Sequence, residues 1–102
     1  VSNTTPIIKV YNFFMKHYKI SVVGKAQGVY FRKSTAEVAN SLGIKGFVRN
    51  EENGNVYIEA EGREESIRSL IEWCKKGPPR AKVESVDFAE GHPNQFSSFV
   101  IV

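Results

Sequence analysis

Residues 18–43 read YKISVVGKAQGVYFRKSTAEVANSLG, and the spacing of the apolar side chains changes once within this stretch. The first five residues alternate apolar and polar side chains, a period of two that predicts a strand with one buried face. A helical spacing then runs from Phe31 to Leu42 and ends at Gly43, which predicts a helix. Its stripe comprises Phe31, Thr35, Val38, Ala39 and Leu42. A strand, a short loop and a helix therefore begin the fold.

The rest of the chain adds further strands and one more helix. Strands are predicted at 46–50, 56–61, 81–88 and 96–102. Asn53-Gly54 predicts a tight hairpin turn with two positive φ angles between the first two of these. The helix ends at Gly77-Pro78-Pro79, and its apolar stripe consists of Ile67, Leu70, Ile71 and Cys74. The order β-α-β-β-α-β, with an additional terminal strand, predicts an α+β fold. This is the ferredoxin-like split βαβ sandwich, with two helices on one face of an antiparallel sheet of four to five strands.

The composition indicates a single small domain with a mild positive charge. The 102 residues carry 14 Lys and Arg against 11 Asp and Glu, a formal charge of +3. This charge permits an anionic partner, either small or polymeric. The length supports one domain, which we place at residues 18–102. Residues 1–17 are expected to form an N-terminal extension that is partly disordered.

Several classes of protein are excluded by the cysteine, histidine and hydropathy patterns. A single cysteine excludes an intramolecular disulfide framework and a multi-cysteine zinc site. His17 and His92 are far apart and lack partners at ligand spacing, so no metal site is predicted. No stretch approaches the roughly 18 consecutive apolar residues of a membrane span. We therefore expect a cytoplasmic protein without a membrane partner.

The loop between the first strand and the first helix has features of an anion-binding site. Gly24 and Gly28 permit backbone conformations in which several amide groups converge. The helix N-terminus adds unpaired donors, and Arg32 in its first turn is placed to bind two phosphate oxygens. Taken alone, the loop is better explained as an ordinary connection with a solvated Arg32. It matches neither the Walker pattern nor the dinucleotide-binding fingerprint.

Two spaced motifs resemble the signatures of the acylphosphatase family. Residues 24–32, GKAQGVYFR, resemble G-x-V-Q-G-V-x-F-R, with Ala26 in place of the usual valine. Residues 46–50, GFVRN, resemble the start of the second signature, which continues with Gly54, Val56 and Gly62. The resemblance extends from about Tyr18 to the C-terminus, and the ferredoxin-like fold of the family agrees with the predicted order of elements.

The resemblance implies an enzyme, an acylphosphatase, that hydrolyses the carboxyl–phosphate bond of acyl phosphates without a metal ion or a cofactor. It assigns Arg32 to bind the phosphate and Asn50 to hold the attacking water. Loop residues complete the phosphate site: Gly24, Lys25, Ala26, Gln27, Gly28, Val29, Tyr30 and Phe31. The implied partners are a small-molecule acyl phosphate and inorganic phosphate, the latter as product and inhibitor. A monomer that binds no nucleic acid is expected.

The chemistry of an acyl phosphate suits this small set of residues. Its leaving group is a carboxylate whose conjugate acid has a pKa of about 4, so departure at neutral pH needs no proton donor. Phosphoryl transfer depends mainly on positioning and charge stabilisation, which Arg32 and the loop amides supply. Without the motifs, Asn50 is also explained as a strand-end residue that shapes the Asn53-Gly54 turn.

Residues 74–80, CKKGPPR, match C-x2-G-x2-R, the spacing of cysteine-dependent phosphatases. Such enzymes need the thiolate among backbone amides at a helix N-terminus. Cys74 is instead predicted in the last turn of a helix, where the helix dipole opposes a thiolate, and the two prolines contribute no amide. We therefore predict a buried and inert thiol.

A non-catalytic RNA-binding module is the alternative function, because RNA-recognition domains share the β-α-β-β-α-β order. Residues 45–49, KGFVR, resemble the start of their aromatic motif but lie on the second predicted strand instead of the third. Tyr57 is the only aromatic residue on the third strand. Glu59 and Glu61 flank it and would repel a phosphate backbone, which argues against this alternative.

Overall fold

The structure of the protein, a computed structural model, describes residues 15–102. Of the predicted N-terminal extension, residues 1–17, the first 14 residues lie outside the described part of the chain. The elements are β1 (Met15–Lys25), α1 (Phe31–Ser41), β2 (Lys45–Asn50), β3 (Val56–Arg63), α2 (Glu64–Lys76), β4 (Lys82–Gly91) and β5 (Phe99–Ile101). This order confirms the predicted α+β arrangement. In this part of the chain neither helix, at 11 and 13 residues, has the length to cross a membrane.

The strands form one sheet in the order β4-β1-β3-β2-β5. β1 pairs antiparallel with both β3 and β4, and β2 pairs antiparallel with β3. β5 pairs parallel with β2, so the sheet is mixed and not wholly antiparallel as predicted. The reason lies in the connection from β4. Residues 92–98 cross the sheet from one edge to the other and bring β5 alongside β2 in the same direction.

The core lies between the sheet and the helices. Ile20, Ile58 and Val48 lie side by side on neighbouring strands and have no exposed surface. The α2 stripe is buried as predicted, at Ile67, Leu70, Ile71 and Cys74. The α1 residues that are buried are Phe31, Thr35, Ala36 and Ala39. Val38 and Leu42, which belong to the predicted stripe, are only partly buried. Thr35 tolerates burial because its hydroxyl donates to the Phe31 carbonyl at 2.7 Å.

The turn between β2 and β3 is wider than predicted. Of the two central residues, Gly54 has a positive φ of 94° and Asn53 does not. The Gly54 amide donates to the Glu51 carbonyl at 3.1 Å, and the Asn53 side-chain oxygen accepts from the Asn55 amide at 3.0 Å. Residues 51–54 therefore form the turn, and the Asn53 side chain accepts a hydrogen bond from the backbone two residues further on.

Gly24 lies at a bulge where β1 meets β4, and its φ is +130°. A Cβ atom there would collide with the Lys82 carbonyl and lie 2.8 Å from the Glu84 amide nitrogen. We expect Gly24→Ala to lower the free energy of unfolding by about 2–4 kcal/mol, because backbone strain adds to the steric conflict. Urea denaturation measures this change. Gly62→Ala is the matched control, since its Cβ would lie 3.6 Å from Ile44 Cγ1, and equal midpoints for the two variants would contradict the prediction.

Candidate active site

The connection between β1 and α1 is shorter than the sequence indicates and has an unusual backbone. β1 extends through Gly24 and Lys25, so the connection itself is residues 26–30. Gly28 and Tyr30 both have positive φ angles, 72° and 64°. For a residue with a side chain such as Tyr30, this conformation costs roughly 1–3 kcal/mol. The protein thus maintains a strained backbone directly before a helix.

The N-terminus of α1 presents unpaired backbone donors. Tyr30 is the N-cap residue, and no side chain caps the helix. Among the described residues, no protein acceptor lies in hydrogen-bonding geometry with the amides of residues 28–31. The first turn of α1 contains no acidic residue that would offset the positive end of the helix dipole. Unpaired donors at the positive end of a helix are suited to binding an anion.

Buried side chains hold the loop against the core. Ala26, Val29 and Phe31 are at most 6% exposed. The Phe31 ring packs on Trp73 of α2, with 5.3 Å between ring centres. These anchors fix the loop backbone relative to both helices.

Gln27 connects the loop to the turn between β2 and β3. Its side-chain Nε2 donates to the backbone carbonyls of Glu51 and Asn55, at 2.8 and 2.9 Å. Both carbonyls belong to the segment that directly follows Asn50. The side chain of Gln27 therefore holds the loop and Asn50 at a fixed separation, a role that the motif alone does not indicate.

A cleft of about 430 Å³ opens between the loop and the C-terminal end of β2. It is lined by Ala26, Gly28, Tyr30, Arg32, Lys33, Asn50, Arg80 and Ile101. The structure thus brings together Arg32 of α1 and Asn50 of β2, the two residues to which the motifs point. The predicted loop residues that do not line the cleft are Gly24, Lys25, Gln27, Val29 and Phe31.

The cleft is positively charged. Arg32, Lys33 and Arg80 line it, and none of its lining residues carries a carboxylate. Arg32 Nη1 donates to the Val102 backbone carbonyl at 3.2 Å, which leaves its other N–H groups for a ligand. The two family motifs do not point to Arg80 or Ile101, because the segments that bear these residues reach the cleft only after folding. A cleft lined by one sign of charge attracts ligands of the opposite sign.

Cys74 does not belong to this cleft. Its thiol has no exposed surface, and burial raises its pKa to about 12. At neutral pH the group is therefore a thiol and not a nucleophilic thiolate. Arg80 lines the cleft and Cys74 does not, so the two ends of the C-x2-G-x2-R match do not form one site. This geometry argues for the predicted inert thiol.

Comparison with known proteins agrees with the motifs. The acylphosphatase family model matches residues 18–101. The acylphosphatase of Thermotoga maritima is 46% identical over 87 residues, which are 85% of this chain and 97% of that protein. The acylphosphatase of Methylococcus capsulatus is 40% identical over 89 residues, 86% of this chain and 97% of that protein. The chain belongs to the acylphosphatase family.

Solved structures of acylphosphatases share the fold. The Coxiella burnetii enzyme has a TM-score of 0.87 at 35% identity, covering 90% of this chain and 97% of that chain. The Bacillus subtilis acylphosphatase has a TM-score of 0.83, also at 35% identity, covering 85% of this chain and 98% of that chain. The predicted family and the predicted ferredoxin-like fold are confirmed. The protein is an enzyme that hydrolyses acyl phosphates.

We expect Gln27→Ala to lower kcat about tenfold, because the turn that follows Asn50 loses its two hydrogen bonds to the loop. KM and inhibition by phosphate should change less, since Arg32 is untouched. Steady-state kinetics with benzoyl phosphate measure both effects. Asn55→Ala is the control because it leaves the backbone carbonyl of residue 55 in place. A Gln27→Ala enzyme with the kcat of the wild type would contradict the positioning role of this side chain.

Proposed function

We propose that acylphosphatase activity in this enzyme depends on Arg32, which binds the phosphoryl group, and on Asn50, which holds the attacking water. The observation that carries the proposal is the position of both residues in the wall of one cleft, at the uncapped N-terminus of α1. The reaction is then an in-line attack of water on phosphorus that releases a carboxylate and inorganic phosphate.

Phosphate binding in this proposal rests on complementary charge and hydrogen bonding. The phosphoryl oxygens accept hydrogen bonds from the amides of residues 28–31 and from the Arg32 guanidinium. A planar guanidinium binds two oxygens at once, a geometry that an ammonium group lacks. Lys33 and Arg80 add positive charge at the cleft wall. The volume of about 430 Å³ leaves room for the acyl group beside the phosphoryl group.

Asn50 assists the attack by orienting water and not by taking its proton. The carboxamide oxygen accepts a hydrogen bond from water and places it in line with the leaving oxygen. A carboxamide binds no proton at neutral pH, so a phosphoryl oxygen of the substrate accepts the proton. The leaving carboxylate has a conjugate acid with a pKa of about 4 and departs without a general acid. The absence of carboxylates and imidazoles from the residues that line the cleft agrees with such a reaction.

The open face of the sheet, within the described residues, offers no support for the alternative RNA-binding module. Phe47 and Tyr57 lie there with 6.0 Å between ring centres, but the Arg49 guanidinium packs over both rings. Arg49 also donates to Glu51 at 2.8 Å, and the Tyr57 hydroxyl donates to Glu59 at 2.7 Å. The two aromatic rings, the Arg49 guanidinium and the Tyr57 hydroxyl are therefore already engaged. The monomeric state, the cytoplasmic location and the lack of nucleic-acid and membrane partners stay predictions.

We expect the purified protein to hydrolyse benzoyl phosphate at the same rate with and without excess EDTA. The physical reason is that Arg32 and the loop amides supply the charge stabilisation. Inorganic phosphate should inhibit competitively, because it occupies the phosphoryl site. The loss of benzoyl phosphate is followed by its absorbance. Salt-dependent binding of single-stranded RNA without turnover would contradict the proposal and favour the alternative.

Two single substitutions separate binding from turnover. Arg32→Ala should abolish detectable inhibition by phosphate and lower kcat/KM by at least about 100-fold, because the two-oxygen contact is lost. Asn50→Ala should lower kcat by about 100- to 1,000-fold while the inhibition constant of phosphate changes less than about threefold. Steady-state kinetics with phosphate as inhibitor give both quantities.

The matched controls are Arg68→Ala and Asn40→Ala. Both residues are exposed, and neither lines the cleft. Each control should keep the activity of the wild type. Near-normal hydrolysis by the Asn50→Ala enzyme would contradict the assigned role of Asn50.

A further inference from the structure

Residues 92–98, the linker between β4 and β5, cross the face of the sheet that the helices leave open, and one carboxylate holds them there. Glu61 of β3 accepts hydrogen bonds from the backbone amides of Asn94 and Phe96, the second at 3.0 Å. It also accepts a hydrogen bond from His17 Nδ1 of β1, at 2.7 Å. Together Glu61, His17 and the two linker amides form a clasp.

The clasp is buried although it lies on the face opposite the core. The His17 and Glu61 side chains are each 1% exposed. Phe96 stacks on the His17 ring, with 5.9 Å between ring centres, and lies nearly perpendicular to the Phe47 ring, with 5.8 Å between ring centres. His17 Nε2 lies 2.9 Å from a carboxylate oxygen of Glu59, so the imidazole stands between two carboxylates. The linker therefore covers a polar cluster that would otherwise face solvent.

The clasp holds Glu61 in its ionised form. Burial by itself raises the pKa of this carboxyl group, but the Asn94 amide, the His17 ring and the Phe96 amide donate hydrogen bonds that lower the pKa of Glu61 overall. Hydrogen bonds to an ionised acceptor are about twice as strong as those between neutral groups. The linker is thus attached to the sheet by a carboxylate and not by strand pairing.

The linker determines where β5 meets the sheet. β5 has three residues and pairs parallel with β2, and so short a pairing is marginal by itself. Two backbone hydrogen bonds flank it, from the Gly46 amide to the Ser98 carbonyl and from the Val102 amide to the Val48 carbonyl, each at 2.9 Å. The first of these lies at the end of the linker, so the position of β5 depends on the clasp.

The far end of β5 forms part of the cleft. Ile101 lines it, and the Val102 carbonyl accepts the hydrogen bond from Arg32 Nη1. A displacement of β5 would therefore move the acceptor that orients the Arg32 guanidinium. The path from the clasp to the phosphate site is a continuous stretch of backbone, residues 94–102.

We propose that Glu61 is a positioning residue for the phosphate site, because it fixes the linker, the linker fixes β5, and β5 orients Arg32. The proposal rests on the proposed role of Arg32. Glu61 itself does not touch the substrate. The pairing of β1 with β3 sets Glu61 opposite His17 at one end of the sheet, whereas Val56 and Val22 meet at the other end, beside the loop.

The test compares Glu61→Gln with Glu59→Gln. Both remove a carboxylate that contacts His17, but Glu61 alone of the two also holds the linker amides. We expect Glu61→Gln to raise the inhibition constant of inorganic phosphate and the KM for benzoyl phosphate about threefold to tenfold, with kcat changed less than about twofold. Deuterium exchange at the Val102 and Gly46 amides should accelerate about tenfold, while amides between β1 and β3 stay protected. Glu59→Gln should leave these quantities unchanged.

A second variant keeps the proposal testable if Glu61→Gln fails to fold. Asn94→Pro removes one amide donor from the linker and leaves the Glu61 carboxylate in place. It should raise the inhibition constant of phosphate in the same direction, and it should accelerate exchange at the Val102 amide.

The proposal would be overturned by unchanged exchange at the Val102 and Gly46 amides, or by faster exchange there with unchanged phosphate affinity. An equal effect of Glu59→Gln would also overturn it, because the effect would then belong to His17 and not to the linker. A wild-type protein that does not hydrolyse benzoyl phosphate would instead contradict the proposed function. In that case, calorimetric titration of wild type and Glu61→Gln with inorganic phosphate still tests the positioning role.

Discussion

The antiparallel pairing of β1 with β3 is the constraint on which the rest of the structure depends. This pair stands at the centre of the sheet, with β4 added on one side and β2 on the other. Its register sets Ile20 opposite Ile58, and neither has exposed surface. Because the two strands run in opposite directions, the loop after β1 and the turn before β3 emerge at the same end of the sheet. Arg32 follows that loop and Asn50 precedes that turn, so the central pairing brings the two residues to one cleft.

The same strand pair organises both ends of the molecule. The cleft lies at one end. The groups proposed to act there are backbone amides and a single guanidinium, because the hydrolysis of an acyl phosphate needs charge stabilisation more than acid or base catalysis. The other end carries His17 and Glu61, a buried pair whose desolvation is offset by hydrogen bonds to the linker. The linker and β5 then return along the outer edge of the sheet from the buried pair to the cleft. A continuous stretch of backbone thereby runs from the Glu61 carboxylate to the wall of the cleft.

Local spacing was sufficient to predict much of the fold. Apolar periodicity predicted the two helices and the succession of helices and strands along the chain, and the α2 stripe from Ile67 to Cys74 is buried as expected. Two properties of the strands were not predictable in this way. The parallel direction of β5 depends on where the linker crosses the sheet, and the burial of Glu61 depends on a linker about thirty residues away that covers it. Period-two spacing places a residue on a face of the sheet but does not reveal what covers that face.

For the site, the sequence by itself was enough to identify the family and to predict the glycine-containing loop and the pair Arg32 and Asn50, because signature motifs are contiguous stretches that keep their spacing in any unfolded chain. Only the tertiary structure decided how these parts cooperate. It turned the Gln27 side chain toward the turn after Asn50 and brought Arg80 into the cleft wall. It also placed the end of β5 against Arg32. The physical reason is that a hydrogen bond or a shared cleft between distant residues exists only once the central strands have paired, and no local pattern of side chains records that geometry.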